Sequence, residues 1–201
     1  MANSANLIFS TLLSFMFIPS LMWAEMDQKI DTTTQTSVIF NTLCAKCHEG
    51  ECSGRLSFDT GSEAARHHIS HYSGEANLTE RKTREFFRLL NYMKKRCAIY
   101  MPEGGKWELK HLSHFALPSH KGYFIPLGTL KKGRYRLLIQ TKEEIPFRLE
   151  ILSDKIDSIY NQSIRSAKKG QMLHFSIERP TTTFVRIRSR EPLHLITLEI
   201  I

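Results

Sequence analysis

Cys44, Cys47 and His48 are the residues of this chain whose types and spacing define a chemistry most sharply. In Cys44-Ala45-Lys46-Cys47-His48 two thiols stand three residues apart and an imidazole follows directly. Each thiol can form a thioether to one of the two vinyl groups of a porphyrin, while the imidazole comes up beneath the iron as an axial ligand. The C-x-x-C-H run occurs once, so it predicts a single covalently bound haem c. Two other chemistries use similar residues. Zinc could be gathered by Cys44, Cys47, His48 and Cys52, although adjacent ligands suit one tetrahedral ion poorly. A thiol-disulfide centre wants its pair at the start of a helix, where the helix dipole lowers the thiol pKa; here the pair ends a helical pattern.

The elements that must position these residues are helical. Thr34 to Cys47 reads as one amphipathic helix with Thr36, Phe40, Leu43 and Cys47 on one face and Ile39 beside them. Glu49 to Arg55 is polar, contains two glycines and reads as loop. Glu63 to Tyr72 has helical composition, with Asp59, Thr60 and Ser62 as candidate caps and Gly74 as terminator, and it contributes His67, His68 and His71. In the clearest helix, Asn77 and Glu80 are spaced as a capping box. Phe86, Leu89, Leu90, Met93 and Cys97 recur on one face, and Arg81, Lys82, Arg84, Lys94 and Lys95 point outward.

Together these residues resemble the haem domain of class I cytochromes c. Phe40 stands four positions before the first motif cysteine, as an aromatic residue does in that family. Leu78 through Met93 is similar to the family's C-terminal helix, with Tyr92 as the aromatic that packs against the first helix. Thr36 stands where the family has a small residue. The resemblance implies a haem crevice closed by the first and last helices, haem attachment outside the cytoplasm, and electron transfer rather than enzymatic turnover. The sixth iron ligand stays open. Met101-Pro102 resembles the Met-Pro pair that presents the distal methionine in the family, but there the methionine precedes the last helix, whereas Met101 follows it. That order favours a ligand between Gly61 and Gly74, with His71 ahead of its neighbours His68 and His67, and Met101 as the competitor.

Residues 1–24 fit export. Leu7 to Ile18 is an apolar run broken by Pro19 and Ser20, and Ala24 offers a small residue at a cleavage site, although no Lys or Arg precedes the run. The stretch is a signal peptide or, uncleaved, an anchor through residues 7–24. In an oxidising compartment Cys52 and Cys97 become candidates for a disulfide.

At Gly104-Gly105 the pattern changes from helical to alternating. Gly122 to Leu127, Arg134 to Thr141, Pro146 to Leu152, Gln171 to Glu178, Thr182 to Arg190 and Leu193 to Ile200 read as strands. Asp157 to Ser166 is strand or loop, and Trp107 to Ala116, with His111 and His114, is short helix or strand. The whole predicts an α+β multidomain chain: an all-α cytochrome c haem domain over 25–103, then an antiparallel β-sandwich or jelly roll over 104–201. In Thr182 to Arg190, Val185 and Ile187 oppose Arg186, Arg188 and Arg190; likewise Arg134 and Arg136 oppose Tyr135, Leu137 and Ile139. Such rows are expected as a solvated face or a docking face. His120, His174 and His194 look scattered.

Charge is uneven. From 25 to 101 there are 11 Lys and Arg against 10 Asp and Glu, and from 102 to 201 there are 17 against 10. A basic second half favours an acidic redox partner, an anionic membrane surface or a polysaccharide, and export argues against nucleic acid. The expected function is an exported monohaem c-type cytochrome that carries electrons or serves as the electron-transfer subunit of a redox complex. The residues leave two alternatives: a haem sensor or catalyst with a displaceable distal ligand, and a β-domain binding module with a structural haem.

Overall fold

The computed structural model describes residues 30–49, 62–73, 78–102 and 109–201. Over these residues the chain is α+β, with helices followed by seven antiparallel strands in two sheets. The strands are β1 (Gly122–Leu130), β2 (Gly133–Thr141), β3 (Phe147–Ser153), β4 (Ser158–Ile164), β5 (Gln171–Ile177), β6 (Thr181–Ser189) and β7 (Leu195–Ile200). The alternating stretches thus form strands within a few residues of their expected bounds. The undecided run Asp157 to Ser166 supplies β4, and the ambiguous run before β1 supplies a 3-10 helix, Leu109–Phe115.

One sheet has the order β1-β6-β3-β4 and the other β5-β2-β7. Period-2 alternation turns Ile125, Leu149, Ile151, Val185 and Ile187 of the first sheet and Leu137, Ile139, Leu173, Phe175 and Leu198 of the second into the core, where all are buried. A third layer covers the first sheet. In β6 every residue from Thr183 to Ile187 is buried, which a strand with one wet face does not show. The covered face carries Phe124, Arg186 and Glu150 side by side in register, with Phe184 opposite Leu152. Phe124 and Phe184 stack there at 5.3 Å.

The cover is the helical segment: α1 (Thr34–Ile39), a π-helical turn (Phe40–Cys44) and α2 (Ala45–His48), flanked by α3 (Ser62–Ser73) and α4 (Glu80–Arg96). One hydrophobic core runs unbroken from Val38 and Phe86 through Phe124 to Val185 and Leu198. Approach is closest at Gly122. A Cβ there would lie 2.7 Å from the carbonyl oxygen of Ile187 and 2.9 Å from Cγ2 of Thr42, so helical layer and sheet can meet only over a bare backbone. Gly122→Ala is expected to destabilise the fold by about 1–3 kcal/mol through overpacking, read as a lower urea midpoint. A wild-type midpoint would show that the layers have room to separate.

In α4 the buried face is Thr83, Glu85, Phe86, Leu89, Leu90 and Met93, which includes the apolar stripe expected from spacing. Its cap differs from expectation: the Thr79 hydroxyl accepts from the amide of Lys82 at 3.3 Å, and Asn77 lies outside the described residues. Thr79 is the residue immediately before the first helical amides, and its side chain satisfies one of them. At the other end Cys97 takes a left-handed conformation, φ 45°, with its amide on the Met93 carbonyl. That C-terminal position favours glycine.

Candidate functional site

The motif does not sit on the single helix that its spacing suggests, because the helix opens just before it. Asn41 donates its amide to the carbonyls of Ser37 (2.9 Å) and Tyr100 (3.1 Å), and the Thr42 hydroxyl donates to the carbonyl of Val38 (2.7 Å). Side chains that bond back to the preceding turn compete with the helical ladder and bend it. The ladder widens accordingly, and the Ala45 amide reaches the carbonyl of Phe40, five residues back. Such π turns recur at functional sites.

Cys44 caps the turn that follows, Cys47 lies within it and His48 ends it; the side chain of His48 is outside the described set. Both motif thiols are free. Cys47 is exposed and Cys44 half-buried. Burial, with Cys47 adding to it, pushes the Cys44 thiol up to about 12. A thiol so far from ionising is a poor nucleophile for disulfide exchange. A thioether carries no charge, so the same burial does not penalise it. Two free thiols one helical turn apart, followed by an imidazole, therefore match the donor set for haem c.

What holds this turn in place comes from the β half. Arg186 and Arg188, expected on a solvated or docking face, are instead covered: Arg186 is 2% exposed and Arg188 is partly buried. The reason is the helical layer, which makes that sheet face an interior. Arg186 donates Nε to Glu150 (2.8 Å), Nη1 to the carbonyl of Asn41 in the π turn (3.3 Å) and Nη1 to Glu49, the residue after His48 (2.5 Å), with Nη2 reaching the second Glu49 oxygen at 3.4 Å. Arg188 adds a bond to Glu150 at 3.2 Å. One buried guanidinium therefore clamps both ends of the motif turn to β6 and β3. Burial would raise the Glu150 carboxyl, but Arg186, then Arg188 and Lys46, hold it below the usual carboxylate range. Lys46, between the two cysteines, lies within electrostatic reach of Arg188, Glu150, Arg148 and Arg186. Burial and then Arg188 hold its ammonium below its usual value. The fold thus brings Arg186 and Arg188 of the basic half behind the motif turn, paired there with Glu49 and Glu150.

The crossing of α1 and α4 is polar. Thr36 is buried, and its hydroxyl donates to Glu85 Oε2 at 2.6 Å, while Arg81 bonds the other Glu85 oxygen at 3.1 Å. Tyr92 packs edge-on against Tyr100 at 5.2 Å, and the Tyr100 hydroxyl bonds the amide and carbonyl of Ile30. Helix α3 packs against the π turn and α4 through Ile69 and Ser73, and leaves His67, His68 and His71 exposed. Tyr72 touches both His68 (4.6 Å) and His71 (4.7 Å). Met101 is half-buried against the core beyond α4. Cys97 is a half-buried free thiol, and its candidate partner Cys52 lies outside the described residues.

No protein family, curated protein or solved structure matches this chain. The site must speak through its own chemistry. Glu49, Glu85 and Glu150 are its residues that spacing did not mark. For Glu150 and Arg186 a signal existed, since Phe184 and Phe124 put apolar residues on the face opposite Val185 and Ile125, the pattern of strands buried on both sides. Two of the scattered histidines also come together. The His120 and His194 rings are 4.8 Å apart, and the His194 Nδ1 is paired with Glu143 at 2.7 Å. Among the described residues no group of three or more His, Cys, Asp or Glu is placed to hold a metal ion.

Proposed function

We propose that this chain is an exported monohaem c-type cytochrome, an electron carrier or the electron-transfer subunit of a redox complex, in which a small helical haem domain rests on a β-sandwich. One observation carries the reading: Cys44 and Cys47 are free thiols on a single helical turn, with His48 next in the chain. When bound, the haem supplies a one-electron Fe(III)/Fe(II) couple. The chain supplies the rest. Cys44 and Cys47 would hold the porphyrin through thioethers and His48 would ligate the iron. His71 would be the second protein ligand, with His68, His67 and Met101 as its competitors. Phe40, Phe86 and Leu90 keep water from the crevice, which lowers the reorganisation that accompanies electron transfer. Glu49, fixed by Arg186, holds the end of the motif turn still. Cys52 and Cys97 form the candidate disulfide, and the redox partner is an acidic protein.

The test uses the full chain expressed with its leader in a host that matures c-type cytochromes. After a denaturing gel, the wild type is expected to keep a haem stain and to show one haem per chain in its reduced spectrum. Cys44→Ala/Cys47→Ala is expected to lose the stain entirely. A stain that survives the double substitution would overturn the reading.

A further inference from the structure

With Arg186 and Arg188 drawn to the covered face of the first sheet, the remaining basic charge of the β half has to be located, and much of it gathers on the second sheet. The outward residues of β2 are Arg134, Arg136, Leu138 and Gln140. They stand in register with Ser176, His174 and Met172 of β5 on one side and with Glu199 and Thr197 of β7 on the other. Arg134, Arg136, His174 and Met172 are exposed. Turns at the two ends of the sheet extend the field, with Lys131 and Lys132 before β2 and Lys142, Lys168 and Lys169 beyond its far end, all exposed. Glu199 is the one carboxylate among the outward strand residues just named, and the turns add exposed Glu144 and Glu178 to their five lysines.

Three features choose the occupant. The charge is spread along a nine-residue strand, about 30 Å at the rise of an antiparallel strand, rather than focused on one spot. Exposed aliphatic side chains, Met172 and Ile201, lie among the cations. Arg134, Arg136, His174 and Ser176 also line a shallow groove of about 480 Å³, with donors for a phosphodiester. A long flat field of cations seeded with aliphatics suits a bilayer better than a compact acidic protein patch.

We propose that the outer face of the β5-β2-β7 sheet docks on an anionic lipid surface. The layer order then fixes the orientation. The motif turn lies on the opposite side of the first sheet, so docking directs Cys44, Cys47 and α3 away from the bilayer. The inference rests on the placement of charge and not on the haem reading, and it holds for a chain with or without the cofactor.

The experiment is co-sedimentation of the full chain, its leader removed, with vesicles of phosphatidylcholine alone or mixed with phosphatidylglycerol. Partitioning is expected to require phosphatidylglycerol and to fall as salt is raised. Each Lys or Arg near an anionic surface contributes about a fivefold factor, so Arg134→Gln/Arg136→Gln should bind roughly 25-fold more weakly. Lys95→Gln/Lys155→Gln, exposed cations on α4 and the β3–β4 turn, should bind nearly as the wild type does. Circular dichroism should report all three as folded. Binding indifferent to phosphatidylglycerol, equal losses in the two double variants, or retention by an acidic protein column without vesicle binding would each overturn it.

Discussion

Replacing Arg186 with methionine will cost about 3–5 kcal/mol of stability, the cost of breaking a buried ion network by removing one member. The guanidinium is almost wholly enclosed and is bonded to Glu150, Glu49 and the carbonyl of Asn41. Methionine fills much of the volume but leaves Glu150 with Arg188 as its close remaining partner and strands Glu49 against an apolar surface. Arg186→Lys keeps the charge but cannot reproduce the fork that spans Glu49 and Glu150, so it should fall between the two. Urea unfolding at neutral pH checks the series, and a methionine variant as stable as the wild type would show that the clamp is replaceable by packing.

The same network predicts a pH signature. Glu150 is held below its ordinary range in the folded chain, so its contribution is fully present above the unfolded value of about 4.3 and is lost as pH falls through the lower folded value. Wild-type stability should therefore decline on acidification below about pH 4.3. In Arg186→Met that decline should be shallower, because the largest favourable partner of Glu150 is already gone.

Arg186 also shows where the sequence was legible and where it was not. The strands could be read because a sheet residue declares its face by parity: Leu137 and Ile139 turn inward and Arg134 and Arg136 outward, as observed. Parity distinguishes two faces but does not say that the second is wet. β6 obeys the alternation, yet both its faces are interior, because a helical layer some 140 residues earlier in the chain folds back over it. Only long-range packing decides that. The helices could be read where the stripe was long, as in α4. The π turn was not legible, because it arises from Asn41 and Thr42 bonding backward, and a polar residue in a helical window has the same spacing whether it points to water or to its own backbone. The motif itself needed no fold to be read. The fold adds what surrounds it: Glu49, Glu150 and Arg186 behind it and α3 beside it.

On the proposed haem c reading, replacing His71 with alanine is expected to leave the haem attached while opening the sixth position of the iron. On that reading attachment rests on Cys44 and Cys47, not on the distal side. In the haem-free Cys44→Ala/Cys47→Ala background the fold should not notice, because His71 is exposed and α3 is anchored by Ile69 and Ser73 on its opposite face; surface changes of this kind stay within about 0.5 kcal/mol. The spectrum should change strongly, since loss of an axial ligand converts a closed iron into one that binds carbon monoxide rapidly and stoichiometrically when reduced. His67→Ala and His68→Ala, also exposed on the same helix, test the neighbouring competitors, and the substitution that opens the iron marks the ligand. Met101→Leu tests the competitor: Met101 is half-buried beyond α4, leucine conserves its volume, and the swap should cost under about 1.5 kcal/mol. If Met101→Leu abolishes a weak far-red methionine–iron band in the oxidised wild type while His71→Ala leaves the spectrum unchanged, the distal ligand is Met101, and the order of helix and ligand differs from the one drawn from the class I resemblance. If the wild type itself binds carbon monoxide as fast as His71→Ala does, the iron is open from the start, and ligand binding displaces electron carriage as the reading of the exposed histidines on α3.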